Sequence, residues 1–194
     1  MKTKLLTAIV VLAMAAVASA DILVPNGDFS AGQGTWINDG AAVITYAAIG
    51  GNPGGYADMD STGGNWGVLV IDATLAQLGG VTIGSTQSFT FDMFGVAGGE
   101  LAGMKVEAWD AGAMISNFTG DTKFNATTGW LTYTTPDIVV PAGTTFFKFV
   151  PLSVDSGHVG FDNVGIVSVI PEPATMGLFA LAGGLLMFVR RFRS

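Results

Sequence analysis

One tryptophan of this sequence stands in a setting that favours contact with a ligand. Trp109 ends a run in which apolar and polar residues alternate, so a β-strand would place it on the same face as Lys105 and Glu107. A flat aromatic ring on a polar face can stack against the apolar C–H face of a sugar ring, while polar neighbours bind its hydroxyl groups. Trp109 is therefore the first candidate for saccharide contact, and burial in a structural role is the alternative.

Tyr56 and Trp66 are the second candidates, because they flank the polar, glycine-containing stretch 58–65. We interpret this stretch as a loop that presents both rings to solvent. Trp36 and Trp130 are expected instead to lie in the core or to cover the edges of the domain.

Residues for other kinds of chemistry are scarce. The chain has no cysteine, and His158 is its one histidine, which argues against thiolate and histidine-cluster metal sites and against a Ser-His-Asp triad. Segment 58–63 imitates the start of a calcium-binding loop, but Leu69 stands where that loop requires a bidentate Glu, so a turn is expected. Paired carboxylates can hydrolyse glycosides. Since no acidic pair has a recognisable context, we expect no enzyme activity and keep a glycoside hydrolase as a distant alternative.

The elements that position these residues are predicted to be strands. Phe89, Phe91 and Met93 alternate with polar residues, which is the two-residue period of a sheet with one wet face. A change of apolar parity at 161–164 predicts a bulge in the last strand. Further runs rich in β-forming residues, separated by Gly, Asn, Asp and Pro, occur at 42–46, 66–71, 104–109, 130–134, 145–150 and 164–169. We therefore expect an all-β fold, an antiparallel β-sandwich of the jelly-roll kind with roughly eight to ten strands.

The N-terminus has the pattern of a secretory signal peptide over 1–20. Lys2 and Lys4 precede an apolar run at 5–17, and the small residues Ala18 and Ala20 then occupy the positions that signal peptidase recognises. Cleavage after Ala20 leaves a predicted ectodomain at 21–169.

Residues 170–194 form a predicted tail of three parts. Pro171, Glu172 and Pro173 make an extended joint, since proline disfavours both helices and central strands. The apolar stretch 174–189 follows, and its 16 residues would span about 24 Å as a helix, slightly short of the roughly 30 Å hydrocarbon core. The cluster that ends the chain, and that would mark the cytoplasmic side by the positive-inside rule, is Arg190, Arg191 and Arg193.

In this order, the three parts resemble the PEP-CTERM sorting domain, over about the last 25 residues. The resemblance implies processing by an exosortase, a membrane transpeptidase-like enzyme, in a Gram-negative bacterium that makes exopolysaccharide. It also implies a location at the cell surface or in the extracellular matrix, with the C-terminal helix holding the chain in the inner membrane at least transiently. An ordinary C-terminal membrane anchor is the alternative.

The two ends of the ectodomain carry a second resemblance. The opening segment 24–30, Trp36 and the closing segment 161–164 are similar to the ends of galactose-binding-like jelly rolls, a group that contains many carbohydrate-binding modules. This resemblance implies a structural calcium ion where the first and last strands meet, with Asp28 and Asp162 as ligands. Ser30 stands where a Glu is usual, which removes one hard oxygen ligand.

The charge balance narrows the choice of partner. The ectodomain has three lysines against fourteen acidic residues, a formal charge of about −11, which argues against nucleic-acid binding. Polysaccharide, in particular exopolysaccharide of the same cell, is the expected partner. A structural or adhesive matrix protein without a saccharide pocket is the alternative.

Overall fold

The computed structural model describes residues 21–167 apart from 80, 121, 155 and 156, and this part of the chain forms one compact unit, Asp21–Val167. The described residues contain thirteen strands. Their bounds are β1 Asp21–Leu23, β2 Ile37–Asn38, β3 Val43–Gly51, β4 Gly54–Asp60, β5 Trp66–Thr74, β6 Thr86–Gly95, β7 Leu101–Trp109, β8 Met114–Asn117, β9 Phe124–Asn125, β10 Leu131–Thr134, β11 Ile138–Val139, β12 Phe146–Val154 and β13 His158–Val167.

The strands form two antiparallel sheets. The seven-stranded sheet has the order β10-β6-β13-β4-β3, with β1 added on β13 and β11 on β6. The six-stranded sheet has the order β2-β5-β12-β7-β8, with β9 added on β7. The prediction of an all-β fold built from antiparallel sheets is therefore confirmed, and the arrangement is that of a β-sandwich.

Alternation along the strands decides which side chains enter the core. In β12, Phe147 and Phe149 are fully buried, whereas Lys148 between them is partly exposed on the outward face. Across the core, Phe89 of β6 meets these two rings at centroid distances of 5.2 and 5.4 Å. The side chains that are buried to more than 98% and are largest by volume include Trp36, Phe29, Phe89, Phe147, Phe149 and Phe161. Trp36 thus lies in the core, as predicted.

The last strand carries the predicted bulge. Its register against β6 shifts between Asp162 and Gly165, and Asn163 has a φ of 48°, in the left-handed region. The opening segment packs against this point, since the backbone N–H of Val24 donates to the Val164 carbonyl and the N–H of Val164 donates to the Gly27 carbonyl. The two ends of the ectodomain therefore meet at the bulge.

The interpretation of 58–65 as one loop is wrong in its first part. Asp58 and Asp60 belong to β4 and point outward, while Ala57 and Met59 between them are fully buried. Pairing with β3 on one side and β13 on the other overrides the low strand propensity of aspartate. The turn begins only after Asp60.

In the described part of the chain, no helix is long and apolar enough to cross a membrane. The predicted signal peptide with Ala18 and Ala20 lies outside the described residues. So does the predicted sorting tail, with its joint at Pro171, Glu172 and Pro173 and its closing cluster of Arg190, Arg191 and Arg193. Both remain predictions.

Candidate functional site

The outward face of the six-stranded sheet brings together the polar and aromatic residues of three adjacent strands. Lys148 of β12 is paired in register with Asp72 of β5 on one side and with Glu107 of β7 on the other. Phe146 and Trp109 form the next pair along the same two strands. Residues two positions apart on a strand share a face, so all of these side chains point away from the core.

Trp109 lies on the polar face that its sequence setting predicts. Its ring is half-buried and runs nearly parallel to the ring of Phe146, with a centroid distance of 6.2 Å and an interplanar angle of 15°. Its Nε1–H donates to Glu107 Oε2 at 2.9 Å. The ring is therefore held in one orientation beside a second aromatic ring.

Lys148 occupies the centre of this arrangement. Its Nζ lies 4.6 Å from the centroid of the Trp109 ring and 3.8 Å from Asp72 Oδ1. The second distance is too long for a hydrogen bond, and the ammonium donates no hydrogen bond to any other described residue. Its N–H donors are available to a ligand.

A groove of about 410 Å³ opens beside Lys148. Lys148 and Asp72 form one wall, and the β2 edge forms the other with Ile37, which is 62% exposed. The remaining polar lining comes from Thr35, Asp39 and Gln77. A partly apolar groove with a few polar groups has the composition of a small-ligand site.

Trp66 lies on the same face but at its other end. It is 49% exposed, and Lys123 Nζ is 5.2 Å from the centroid of its ring. The chain before β9 covers the face between Trp66 and the groove, because a Cβ at Gly103 would lie 2.3 Å from the carbonyl oxygen of Thr122. Trp66 is therefore separated from Trp109.

Tyr56 lies on the opposite side of the domain, on the outward face of the seven-stranded sheet. Its ring meets those of Phe94 and Trp130 edge-on, at centroid distances of 5.4 and 5.6 Å. Burial, followed by the charge of Asp58, raises the pKa of Tyr56. The structure thus does not bring Tyr56 and Trp66 together. Trp130 directly precedes the edge strand β10 and packs on the rings of Tyr56 and Phe94, with its Nε1–H donating to the Gly50 carbonyl at 2.9 Å.

A group of carboxylates occupies the bulge where the opening segment meets β13. Asp162 is fully buried, and its two oxygens accept the backbone N–H groups of Asn52 at 2.5 Å and Asn163 at 2.7 Å. Burial raises the pKa of Asp162 to about 6, the two hydrogen bonds oppose that rise, and the charges of Asp92 and Asp28 add to it. The structure therefore places the two predicted calcium ligands close enough to repel each other.

Oxygen atoms crowd the two glycines that lie near Asp162. A Cβ at Gly51 would lie 2.6 Å from Asp162 Oδ2, and a Cβ at Gly55 would lie 2.8 Å from the Phe29 carbonyl oxygen and 3.0 Å from that of Ala47. Oxygen ligands are what Ca²⁺ prefers. Among the described residues no three His, Cys, Asp or Glu side chains are arranged to hold a metal, so a cation at this point would depend on carbonyl oxygens in addition to Asp28 and Asp162.

His158 is the first residue of β13 and is partly exposed. Its Nε2 lies 3.0 Å from Asp60 Oδ2 and its Nδ1 lies 3.5 Å from Asp58 Oδ2. Hydrogen bonds from Thr62 lower the pKa of Asp60, and His158 adds to this effect.

Sequence reasoning missed Lys148, Phe146 and Asp72 as neighbours of Trp109. The alternation within β12 does put Phe146 and Lys148 on one face and Phe147 and Phe149 on the other. The sequence therefore indicated which side chains of β12 point outward. It did not indicate that β5 and β7 lie on either side of β12, because these three strands are far apart in the sequence.

Comparison with known proteins finds solved structures of similar fold. No protein-family model and no curated protein matches the sequence. Among solved structures, the chain is similar to the enzymatically active domain of tailspike protein 4 of bacteriophage CBA120, with a TM-score of 0.60 and 12% identity over 75% of this chain and 21% of that one. It is also similar to the tandem CBM22 domains of Paenibacillus barcinonensis Xyn10C, with a TM-score of 0.57 and 17% identity over 79% of this chain and 50% of that one.

A third similar structure is TmCBM61 in complex with β-1,4-galactotriose, with a TM-score of 0.54 and 15% identity over 76% of this chain and 98% of that one. The chain thus spans about a fifth of the tailspike domain and half of the tandem, but nearly all of this single module. At these identities the likeness establishes the fold alone. The described part of the chain has the β-sandwich fold that carbohydrate-binding modules also use.

Proposed function

We propose that this protein is exported, sorted to the cell surface or the extracellular matrix, and binds polysaccharide through its jelly-roll domain. The observation that carries the proposal is the pair of nearly parallel rings, Trp109 and Phe146, beside the groove at Lys148. Stacking surface and hydrogen-bonding groups are the two things a sugar ring needs from a protein, and here they adjoin each other.

Trp109 and Phe146 do not line the groove but lie beyond Lys148, so a sugar that uses both would extend from the groove past this lysine. Lys148 lies over the Trp109 ring, so a bound sugar either shares that ring with the ammonium or moves the side chain toward Asp72. Glu107 is already engaged by Trp109 Nε1–H. The side chains of the groove that can bind sugar hydroxyls are therefore Lys148, Asp72, Asp39, Thr35 and Gln77.

The similar structures support this class of ligand. Two of the three are carbohydrate-binding modules, and one of them holds β-1,4-galactotriose. Their low identity leaves the particular sugar of this protein open to experiment.

The route to the surface follows from the two ends of the sequence. Signal peptidase would cleave after Ala20, and an exosortase would act on the tail that begins with Pro171, Glu172 and Pro173. Mass spectrometry of the protein isolated from its native envelope tests both steps. We expect an N-terminus at Asp21 and a C-terminus near the PEP motif, whereas a chain that retains Met1 would contradict export.

A structural calcium ion is part of the proposal. Asp28 and Asp162 would bind it together with carbonyl oxygens that lie near Gly51 and Gly55. An ion at this point would tie the opening segment to the last strand and would offset the repulsion among the carboxylates. It would act on stability and not on the groove.

The main alternative is a structural or adhesive matrix protein without a saccharide pocket. The glycoside hydrolase gains no support from the carboxylate group, because Asp162 is fully buried and Asp92 is 4% exposed. Asp92 also accepts hydrogen bonds from Thr132, Asn52 and Asn163. Asp92 lines a cavity of about 290 Å³, but these hydrogen bonds occupy both of its oxygens, and Asp162 is not among the lining residues.

Binding is tested with residues 21–167, which form a compact unit with their own core. Affinity electrophoresis and tryptophan fluorescence would be recorded with a panel of neutral and acidic polysaccharides. We expect retardation by at least one of them and its loss in Trp109→Ala. Trp66→Ala is the matched control, since Trp66 lies on the same face beyond the covering segment. Retardation that is absent throughout, or that is unchanged in Trp109→Ala, would contradict the proposed site.

A further inference from the structure

The lysines of the ectodomain are concentrated on one face. Lys105, Lys123 and Lys148 are its three lysines, and it has no arginine. Lys105 and Lys148 point outward from β7 and β12 of the six-stranded sheet, and Lys123 lies over Trp66 on the same side. All of the lysine charge therefore lies on the face that carries the groove.

The opposite face has a different charge character. The side chains that the seven-stranded sheet directs outward include Asp58, Asp60, Asp92 and Asp162 and no lysine. An anionic ligand would be repelled there. The six-stranded face carries the carboxylates of Asp72, Glu107 and Asp39 as well, but it also offers an anion the lysines that the other face lacks.

Lys148 is the cation best placed to meet a ligand. It lines the groove, and its ammonium makes no hydrogen bond with the described residues. Its ion pair with Asp72 is long, at 3.8 Å, and Asp72 is 56% exposed, so water screens the pair. A ligand anion at hydrogen-bond distance would replace this weak contact with a charge-assisted hydrogen bond.

A second cation lies close by. Lys148 pairs with Glu107 and Val150 pairs with Lys105, so Lys105 is the diagonal neighbour of Lys148 on this face. Diagonal neighbours in an antiparallel pair are roughly 7–8 Å apart, which long side chains can bridge. Glu107, between the two, has its Oε2 engaged by Trp109.

We propose that the saccharide bound at this site is anionic and that a carboxylate or sulfate group on its sugar ring accepts hydrogen bonds from Lys148. This inference rests on the proposed function and specifies its ligand. Trp109 and Phe146 would contact the ring, and Lys148 would bind the anionic group. The alternative is a neutral glycan, whose hydroxyl groups would be bound by Asp72 and Asp39.

The test uses short ligands that differ only in charge. Trigalacturonate and its fully methyl-esterified form would be titrated against residues 21–167 by calorimetry at low ionic strength, and a sulfated galactose trisaccharide would be compared with the unsulfated one. Because a hydrogen bond to a charged group is stronger than one to a neutral group, we expect an affinity ratio of about tenfold in favour of the anionic member of at least one pair. If only the galacturonate pair shows this affinity ratio, the site prefers a carboxylate; if only the galactose pair shows it, the site prefers a sulfate.

Substitutions test whether Lys148 causes the preference for the anionic ligand. Lys148→Met keeps the aliphatic stem and removes the charge, so the ratio should fall to about one, whereas Lys123→Met, outside the groove, should preserve it. Asp72→Asn removes the competing carboxylate, and we expect it to raise the ratio about two- to fivefold. The Asp72 variant alters an exposed residue and provides a test even where Lys148→Met folds poorly.

The outcomes distinguish failure of the anionic ligand from failure of polysaccharide binding itself. Equal affinity for the charged and neutral members of both pairs, with binding retained, would overturn the anionic ligand and leave polysaccharide binding in place. The anionic ligand would also be overturned if the affinity ratio in Lys148→Met and in Asp72→Asn equals that of the wild type. Failure of every oligosaccharide and polysaccharide to bind would overturn the proposed function itself.

Discussion

The buried carboxylate of Asp162 makes folding of the ectodomain depend on pH in an unusual direction. Its pKa is raised from 3.8 to about 6, chiefly by burial. Between these two values the folded chain holds a proton that the unfolded chain has released. The contribution of Asp162 to the free energy of unfolding is therefore greatest below about pH 4, falls as the pH rises to about 6, and then levels off.

The size of this decline follows from the shift. Two pKa units correspond to about 2–3 kcal/mol of differential stability, and Asp162 has no exposed surface that would screen it. Other carboxylates contribute outside this window. Hydrogen bonds from Thr62 lower the pKa of Asp60, and the backbone N–H groups of Gly112 and Ala113 lower that of Asp110. Their stabilising effect is lost only as the pH falls through still lower values.

The measurement is urea denaturation of residues 21–167 at several pH values from 4 to 7 with a calcium chelator present. Asp162→Asn is the control, because it keeps the shape of the side chain and cannot titrate. We expect the wild-type unfolding free energy to fall by about 2–3 kcal/mol more than that of the variant across this range. Parallel pH profiles for the two proteins would refute the reasoning.

Repeating the urea denaturation at the same pH values with millimolar Ca²⁺ tests the proposed calcium ion separately. Bound Ca²⁺ favours the ionised carboxylates, so stabilisation by the ion should grow as the pH rises, and the decline should disappear. A wild-type profile that calcium leaves unchanged would contradict the calcium site without affecting the argument about Asp162.

Two further predictions concern packing. Gly160→Ala would place a Cβ 2.0 Å from the ring of Phe94, and we expect a loss of about 1–3 kcal/mol in urea denaturation. Gly112→Ala, where nothing lies within 4 Å of the added Cβ, is the matched control, and equal midpoints for the two variants would contradict the prediction. Phe147→Ala would remove a fully buried ring that packs on Phe89 and should cost about 3–5 kcal/mol. A midpoint close to that of the wild type would show that the core is not organised around this ring.

The local alternation of apolar and polar residues predicted much of the fold, because residues two positions apart on a strand lie on the same face of the sheet. It identified the buried ladder of Phe89, Phe91 and Met93, the outward position of Trp109, and the bulge at the closing segment. It failed at β4, where Asp58 and Asp60 occupy a central strand. Their strand conformation comes from pairing with distant β3 and β13, which no local propensity can report.

The candidate site was only partly predictable for a related reason. The interpretation of Tyr56 and Trp66 as partners rested on their closeness in sequence, but the chain crosses from one sheet to the other between β4 and β5. Such a crossing separates residues that are ten positions apart and places them on opposite outward faces. The same crossings bring Asp72, Lys148 and Glu107 into one row from segments that are more than thirty residues apart.

The distribution of charge between the two faces links stability to ligand choice. On the seven-stranded side, carboxylates are crowded at the bulge and would be relieved by a proton or a cation. On the six-stranded side, Lys148 lacks a hydrogen-bonding partner among the described residues, and an anion would supply one. Because the two groups lie on opposite sides of the sandwich, the proposed calcium ion and the proposed anionic saccharide would occupy separate sites. Divalent cations and acidic glycans would then bind to the same molecule without competing for its ligands, and calcium should raise the stability of the domain while leaving the affinity ratio at Lys148 unchanged.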